Sequence, residues 1–569
     1  MKNLEIAATF GDMADLLEIQ GANPFRIRAY RNARVSLESL TDTVEEIAKR
    51  GALDDIQGIG KDLAGKITEY IETGKIQAFE DLKKELPVGL VGIVSIPTIG
   101  PKTARLIFDS FGVGSVDDLE KLARTEKLLT LPGIKKKTLE NIVRGIELYK
   151  RRKGVFLLGR ALPVAGEILA GLAKVAGKAA YAGSLRRMKE SVHDVDILVA
   201  SNKADAVMKA FRDLPVVERV LMSGPTKTSV LVTGDMQADL RVVEPDSWGA
   251  ALLYFTGSKE HNIRLRERAI KRGLKLNEYG LFDEAGKSVA ARTEEDIYAA
   301  LDLEWIPPTL REDRGEVDAA AKKGGLPKLV GVDDIRGDLH MHTTWSDGAL
   351  STEDMVEAAR ARGYKYVAIT DHSQSLGVAG GLSADDLLEH VGEIHKLDRK
   401  HRGFRVLAGT EVDIRKDGTL DYPDEVLGKL DFVVASVHSS LRQDRKTMTE
   451  RVVRAMQNPH VRVVGHPTGR LLGDRDSYDL DFDVVMAEAA RTRTCLEVNA
   501  HYHRLDLNDV LCKKARDAGV QVIISTDSHN AENLGNLVYG VATAQRGWLG
   551  KEHVLNTRPV EELLAYKTS

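Results

Sequence analysis

The 569-residue chain predicts a multidomain fold, with α-helical hairpin units in front, an α+β region in the middle and an α/β barrel of seven strands behind. Three observations predict it. A turn-and-helix pattern recurs three times in the first 150 residues. An alternating strand holds two aspartates two residues apart, with a third aspartate on a later strand. Nearly every short apolar run after residue 334 ends at a histidine or a carboxylate.

Length alone asks for roughly three to five compact units. Hydrophobic residues at 43% and charged residues at 29% describe ordinary globular domains. No apolar run approaches the roughly 18–20 residues of a membrane span, so no membrane partner is expected. The opening "MKNLEIAATFGDMADLLEIQG" has acids inside its apolar stretch and reads as an amphipathic helix, not a signal peptide. The two cysteines, Cys495 and Cys512, form no disulfide framework and suit a reducing cytoplasm. A net charge of −4 argues against indiscriminate nucleic-acid binding, although residues 1–310 carry a slight positive excess. The basic clusters are "KRRKG" (150–154) and "NIRLRERAIKRG" (262–273), readable as DNA-facing stripes or as solvated helix faces.

The repeats are "LDDIQGIGKDLAGKI" (53–67), "VSIPTIGPKTARLI" (94–107) and "LTLPGIKKKTLENI" (129–142). Each sets an apolar residue, a tight Gly or Pro turn, another apolar residue and basic residues opening a helix. Such a turn presents backbone N–H groups and a helix N-terminus together. That is an anion site matched to a nucleic-acid phosphate, and it reads no base sequence. One copy is any helical hairpin; three point to helix-hairpin-helix binding of a DNA backbone. Thr98 stands where the first copy has Gly58, and Lys135 where it has Gly60, and both are expected to weaken close phosphate approach.

In "YAGSLRRMKESVHDVDILVAS" (181–201), "DVDILVA" alternates like a strand, which puts Asp194 and Asp196 on one face. Adjacent carboxylates repel unless cations lie between them, and divalent metals are the usual answer. "ADLRVVE" (238–244) offers Asp239 as a third. Upstream, Gly183-Ser184 lets the backbone approach an anion, and Arg186 and Arg187 supply charge for a polyphosphate. A lone pair of aspartates is common on surface strands; the ordered set is far more specific.

This order resembles the family X DNA polymerases, and "LLYFTGSKEHNIRLRERAIKRGLKLNEYGLF" (252–282) is similar to that family's thumb. The resemblance implies an α+β nucleotidyltransferase palm and thumb in which Asp194, Asp196 and Asp239 are catalytic and bind two Mg²⁺ or Mn²⁺ ions. It implies a dNTP site using Gly183, Ser184, Arg187 and Gly257. Tyr254 and Phe255 would line the sugar pocket against a 2′-OH, Asn262 would touch the incoming nucleotide, and Arg266 would reach the template strand. One metal would activate the primer 3′-OH and the other neutralise the triphosphate. "NPFRIRAYRNA" and "GIGKDLAGKITEYIETGKI" resemble the small lyase domain of the family's animal repair polymerases, with Lys66 at the Schiff-base position. Beside such a turn a lysine is more often a phosphate contact. Val192 and His193 depart from the small polar residue and Gly of several relatives, so His193 either crowds the triphosphate or donates to it.

"PPTLREDRGEVDAAAKKGGLPKLVGVDD" (307–334) reads as a connector with little core of its own. Seven strand candidates follow, at 335–340, 365–370, 404–411, 432–437, 461–465, 494–499 and 520–526. The helices between them, such as 351–363 capped by Ser351, suit crossovers. In a parallel barrel the C-terminal strand ends share one face, where catalytic groups collect. There the sequence places His340, His342, Asp347, His372, Glu411, His438, His466, Asp527 and His529. At four to six ligands per ion, some of them shared, such a set holds two or three metals of the Mn²⁺, Zn²⁺ or Fe²⁺ kind. His390, His395, His401, His460, His501 and His503 lie off the pattern and read as structural.

The 335–569 half is similar to the PHP (polymerase and histidinol phosphatase) family, which implies a distorted (β/α)7 barrel with a trinuclear site filled by those nine residues. Arg442 and Arg470 follow ligands closely, as substrate-phosphate contacts or as solvated arginines. Together the two halves are similar to the bacterial family X polymerases. That resemblance implies a small DNA-binding or lyase-like domain (1–88), helix-hairpin-helix fingers (89–150), palm (151–248), thumb (249–311), linker (312–334) and PHP phosphoesterase (335–569). It implies a monomeric, cytoplasmic, nucleoid-associated repair polymerase. Its partners would be dNTP and the primer 3′ end of gapped or nicked duplex DNA, with a 3′–5′ exonuclease or 3′-end phosphoesterase behind. Two other readings stand beside it: a PHP nuclease whose DNA-binding front half polymerises weakly or not at all, and a small-molecule phosphatase.

Overall fold

The computed structural model describes residues 2–567 apart from 39–43, 57, 95, 97, 98 and 153. The chain divides into two compact units, 1–153 and 154–569.

The first unit is built from helices between Lys2 and Arg152. Its opening helix, Lys2–Gln20, is more buried than an amphipathic surface helix. Ile6, Phe10, Met13, Leu16 and Leu17 are all inaccessible, because helices Pro24–Glu38, Lys61–Thr73, Gln77–Glu85, Gly89–Val94 and Pro101–Phe111 pack around it. The three repeated turns open helices α1 (Lys61–Thr73), α2 (Pro101–Phe111) and α3 (Lys136–Arg152). Gly58 and Gly133 take left-handed backbone at φ 78° and 85°, which a glycine adopts without strain. Thr98, at the equivalent place of the second turn, lies outside the described residues. Gly60 and Gly100 cap their helices at φ −84° and −83°, an ordinary extended conformation. The position that Lys135 fills therefore has no conformational need of glycine, so its effect is confined to how closely a phosphate approaches the turn.

In the second unit a five-stranded sheet comes first: β1 (Lys178–Tyr181), β2 (Asp194–Ala200), β3 (Val217–Ser223), β4 (Lys227–Val232) and β5 (Met236–Val243), in spatial order β1-β2-β5-β4-β3. Only β2 and β5 pair in parallel. Alternation sends Val195, Ile197 and Val199 into a core with helices Leu158–Leu172 and Ala204–Arg212. Asp194, Asp196 and Leu198 take the opposite face, where Leu198 meets Ala251 and Leu252 of α4 (Trp248–Thr256). After Gly257, Ser258 caps α5 (Lys259–Ile270) by accepting from His261 N–H.

Much of the 262–273 basic cluster is committed internally. Arg264 pairs with Asp318, Arg268 donates to the carbonyls of Leu301 and Asp302, and Arg272 pairs with Asp302. The segment 312–334 also differs from its expected role as a loose connector. Helix Glu316–Ala320 adds Val317 and Ala320 to the core around α4 and α5. The buried Glu316 carboxylate accepts from the N–H groups of Asp313 and Arg314 and lies 2.7 Å from His261 Nδ1.

Glu294 ties this region together, bracketed by the guanidinium groups of Arg186 and Arg311 at 2.6–3.0 Å. Burial disfavours its charge, but Arg311 and then Arg186 overcome that and hold its pKa at about 2. A depressed carboxyl pKa gives stability that is full above the unfolded value and is lost as pH falls from about 4.5 towards 2. Between pH 5 and pH 3 this pair is expected to cost wild type about 2 kcal/mol more unfolding free energy than Glu294→Gln loses. Denaturant unfolding of both proteins at the two pH values measures it.

The barrel strands are β6 (Gly337–Asp338), β7 (Tyr366–Ile369), β8 (Arg405–Asp413), β9 (Phe432–Ser436), β10 (Val463–Val464), β11 (Cys495–Asn499) and β12 (Val522–Ser525). They lie in sequence order and are all parallel. Each falls within a strand candidate or overlaps it. The ring closes at its upper rim, where His342 N–H donates to Ser528 O at 2.8 Å. Leu339, Ala368, Leu407, Val434, Val463, Cys495 and Ile523 fill the interior, and Leu555, Val560 and Leu563 close its lower end. An apolar floor of this kind leaves the C-terminal strand ends as the polar face. Among the described residues no helix is long and apolar enough to cross a membrane.

Candidate metal centres and nucleotide pocket

The parallel register of β2 and β5 sets Asp196 directly opposite Asp239, with Asp194 two residues away on the same face. Burial, then Asp194 and Asp239, push Asp196 up to about 6. Asp194 is raised by burial and by Asp239. Burial acts on Asp239 in the same sense, but hydrogen bonds from Lys227, at 2.5 Å, and from Gln237 and Ser229 hold it below the usual carboxylate range. Gly183, at φ 58°, is needed here: a Cβ would sit 2.3 Å from Asp196 Oδ2. Ser184 is half-buried in the one-turn helix that follows.

In the same unit a pocket is lined by Arg187, Tyr254, Phe255, Gly257, Asn262 and Arg266, which the sequence singled out, and by Thr256 and Lys259, which it did not. The Tyr254 and Phe255 rings meet edge to face at 5.1 Å, and Asn262 Nδ2 donates to Tyr254 O at 2.7 Å. Arg186 is not in the pocket; Glu294 and Thr256 engage it, which corrects its assignment to a polyphosphate. His193 Nδ1 lies 3.1 Å from Gly154 O, and its ring is near enough to Asp194 to act on that carboxylate's charge. In the first unit, Lys66 Nζ lies 2.5 Å from Asp62 Oδ1 on α1.

At the barrel rim the structure brings together all nine side chains found in the sequence. Ligand atoms fall into three groups, each within 4.8 Å: His342, Asp347, His372 and His529; His340, His342 and Asp527; and His372, Glu411 and His438. His466 joins through Glu411, Nε2 to Oε1 at 2.8 Å. Glu411 is central. Its Oε2 lies 2.9, 3.4 and 3.7 Å from ring nitrogens of His372, His340 and His342, and its Oε1 lies 3.3 Å from His438.

Buried Nε2 of His340, both nitrogens of His342, Nδ1 of His372 and of His466, and Oε2 of Glu411 have no hydrogen-bond partner. The close His372–Glu411 approach is among these because it is not aligned as a hydrogen bond. Polar atoms so buried are costly unless something else satisfies them, and this donor set matches divalent cations. The field agrees. Against burial, Glu411 and Asp347 raise His372 to about 10, while burial and the neighbouring His372 and His529 push His342 down to about 4.

The loop after β6 has a local explanation. Asp371 accepts from Thr343 N–H and Oγ1–H at 2.8 Å and from Ser346 Oγ–H at 2.6 Å, folding the loop that carries Asp347. A Cβ at Gly348 would meet His342 O at 2.4 Å. His466 and Asp527 sit at φ 27° and 52°, left-handed conformations that cost non-glycine residues about 1–3 kcal/mol and concentrate at functional sites.

Sequence reasoning missed the groups that orient these side chains. Glu497 lies 2.7 Å from His340 Nδ1, accepts from His466 N–H at 2.6 Å and from Ser525 Oγ–H at 2.7 Å. Asp413 lies 3.0 Å from His438 Nδ1. Both were findable: Glu497 is a lone charge inside an apolar strand, and Asp413 follows Glu411 at a spacing of two. Glu497→Gln is expected to lower metal affinity or nuclease activity about 10- to 100-fold, read by calorimetric Mn²⁺ titration. Arg504 also went unnoticed; its Nε lies 3.3 Å from Asp527 Oδ2. Arg470 is neither free nor solvated. It donates to Arg504 O, Leu505 O and Glu190, and so ties the barrel to the sheet domain. Arg442 is exposed.

Three strand-borne aspartates with a pocket in the same unit, followed by a histidine–carboxylate cluster on a parallel barrel, point to a nucleotidyltransferase joined to a metallophosphoesterase fold. The chain belongs to the bacterial family X DNA polymerases that carry a C-terminal PHP domain. It is 38% identical over 571 residues to the DNA polymerase/3′-5′ exonuclease PolX of Bacillus subtilis (strain 168), covering 100% of this chain and 99% of that protein. Residues 1–76 match a helix-hairpin-helix domain, 92–147 a SAM-like helix-hairpin-helix tandem, 251–312 the DNA polymerase beta thumb and 338–501 the PHP domain. A probable phosphatase of Shewanella sediminis (strain HAW-EB3) is 32% identical over 239 residues, 40% of this chain and 92% of its own length. A probable phosphatase of Thermoanaerobacter sp. (strain X514) is 27% identical over 231 residues, 39% of this chain and 89% of its own.

Proposed function

We propose that this chain is a DNA-directed DNA polymerase that fills short gaps and carries a separate metal-dependent 3′–5′ exonuclease site in its barrel. The observation that carries the reading is the β2–β5 register. It sets Asp196 opposite Asp239 with Asp194 on the same face, and a pocket lined by residues that include Arg187, Tyr254, Phe255, Asn262 and Arg266 supports the same reading. The three aspartates hold Mg²⁺ or Mn²⁺, and the nine rim residues hold two or three ions of the Mn²⁺, Zn²⁺ or Fe²⁺ kind. Bound at either site, such ions supply charge neutralisation and an activated oxygen nucleophile.

The protein's own groups do the rest. Gly183 and Ser184 bring backbone to the triphosphate, and Arg187 and Gly257 line its place. The Tyr254–Phe255 step walls off a ribose 2′-OH, Asn262 meets the nucleotide and Arg266 the template strand. The helix-hairpin-helix turns hold the backbone of gapped or nicked duplex without reading sequence. Lys66, steadied by Asp62, contacts a 5′ phosphate, and lyase chemistry there is the lesser reading.

Primer extension on gapped DNA, with Mg²⁺ compared with Mn²⁺ and longer and shorter products scored together, tests this function. Extension with dNTP and 3′ shortening without it are expected. A protein that shortens 3′ ends but never extends them would leave only the nuclease reading.

A further inference from the structure

The nucleotide pocket is completed from an unexpected direction. Arg187 Nε donates to Glu312 Oε1 at 3.0 Å, and its Nη1 donates to Thr256 O at 2.6 Å. The same Glu312 oxygen is met by Arg546, from the last long helix of the barrel, Leu537–Arg546. Its Nη1 donates both to Glu312 Oε1 at 2.9 Å and to the carbonyl of Arg187 at 2.7 Å. Its Nη2 is anchored on Asp509 Oδ2 at 2.8 Å, and Asp509 also takes Arg314 at 3.0 Å. The network is well shielded, with side-chain exposures of 11% for Arg187, 14% for Glu312 and 6% for Arg546.

We infer that Arg546 is a positioning residue of the polymerase site: working through Glu312 and the Arg187 carbonyl, the barrel sets the guanidinium that lines the nucleotide pocket. The inference rests on the polymerase reading above and goes beyond it, because it makes the nuclease barrel part of the nucleotide site.

Charge explains why the extra arginine matters. Three guanidinium groups (Arg187, Arg314 and Arg546) share two carboxylates (Glu312 and Asp509), so one positive charge is left uncompensated beside the pocket. Without Arg546, Glu312 has Arg187 alone, and the pair is neutral towards an incoming anion. Shielded pairs of this kind are weakly screened by salt, so the loss is felt at the pocket. Geometry acts in the same sense. Arg546 fixes the backbone of Arg187 as well as its side-chain partner, and a guanidinium can bridge both acceptors where an ammonium offers only a point charge.

The test is steady-state gap filling by the full-length protein carrying Arg546→Gln, with exonuclease activity measured on the same preparation. The dNTP KM is expected to rise about three- to tenfold with kcat changed less than twofold and exonuclease rate unchanged. Arg546→Lys should fall between the two proteins. An unchanged KM, or polymerase kcat and exonuclease falling together, overturns the inference. If Arg546→Gln proves insoluble, Glu312→Gln reads the same network. It unpins Arg187 and should shift the dNTP KM at least threefold with exonuclease intact, and an unshifted KM overturns the inference. Wild-type protein that fails to extend any primer would instead remove the polymerase reading itself, so the two failures are distinguishable.

Discussion

Glu411→Gln is expected to abolish exonuclease activity, by about 10³-fold or more, or at least about 4 kcal/mol in the barrier. The change keeps the shape of the side chain and removes its charge at the point where ring nitrogens of His340, His342, His372, His438 and His466 converge. No other rim carboxylate faces so many imidazoles. An amide there would turn an N–H toward some of those rings, and the metal set would lose its shared anion. Gap filling should stay within twofold of wild type. Release of nucleotide from a labelled 3′ end across a Mn²⁺ titration is the measurement. Full nuclease activity in this variant would move the chemistry out of the barrel rim.

The converse substitution, Asp196→Asn, should cost primer extension at least about 10³-fold and leave the exonuclease untouched. It carries a second signature that mere damage would not. Asp196 stands opposite Asp239 and two residues from Asp194, and mutual repulsion with burial pushes it up to about 6. Replacing it with an amide relieves that repulsion, so the metal-free variant should melt no lower than wild type. Lost extension with unchanged or raised Tm identifies a functional carboxylate; lost extension with a fall of several degrees indicates misfolding.

How legible all this was depended on the reach of each signal. Strand positions and the side chains gathered at the strand ends were legible because both are local: "KYVAIT" and "VQVIIST" announce buried strands, and the residue after such a strand is committed to the rim. The paired aspartates were legible through the two-residue period of β2. Arginines were the poorest guides. Arg186, Arg187 and Arg470 sit where phosphate contacts were expected, yet Arg186 serves Glu294 and Arg470 serves Glu190 and two carbonyls. A guanidinium on a long flexible stem finds partners that only tertiary packing supplies, more than a hundred residues away for Arg186 and nearly three hundred for Arg470. The 312–334 segment misled for a related reason. Its composition is that of a loop, but two burials, Glu316 under His261 and Val317 in the neighbouring core, make it structure.

The barrel's outer wall bears on how the barrel would behave alone. Leu505 and Tyr539 belong to the same core as the sheet domain, and Trp548 to the core around α4 and α5. These side chains are dry only while the front half is present. A barrel of this family that lives alone must show polar residues at those places, or cover them with a second copy, because a contiguous apolar patch in water invites association. The barrel and the domains before it in this unit are therefore joined through shared cores and not by a tether alone.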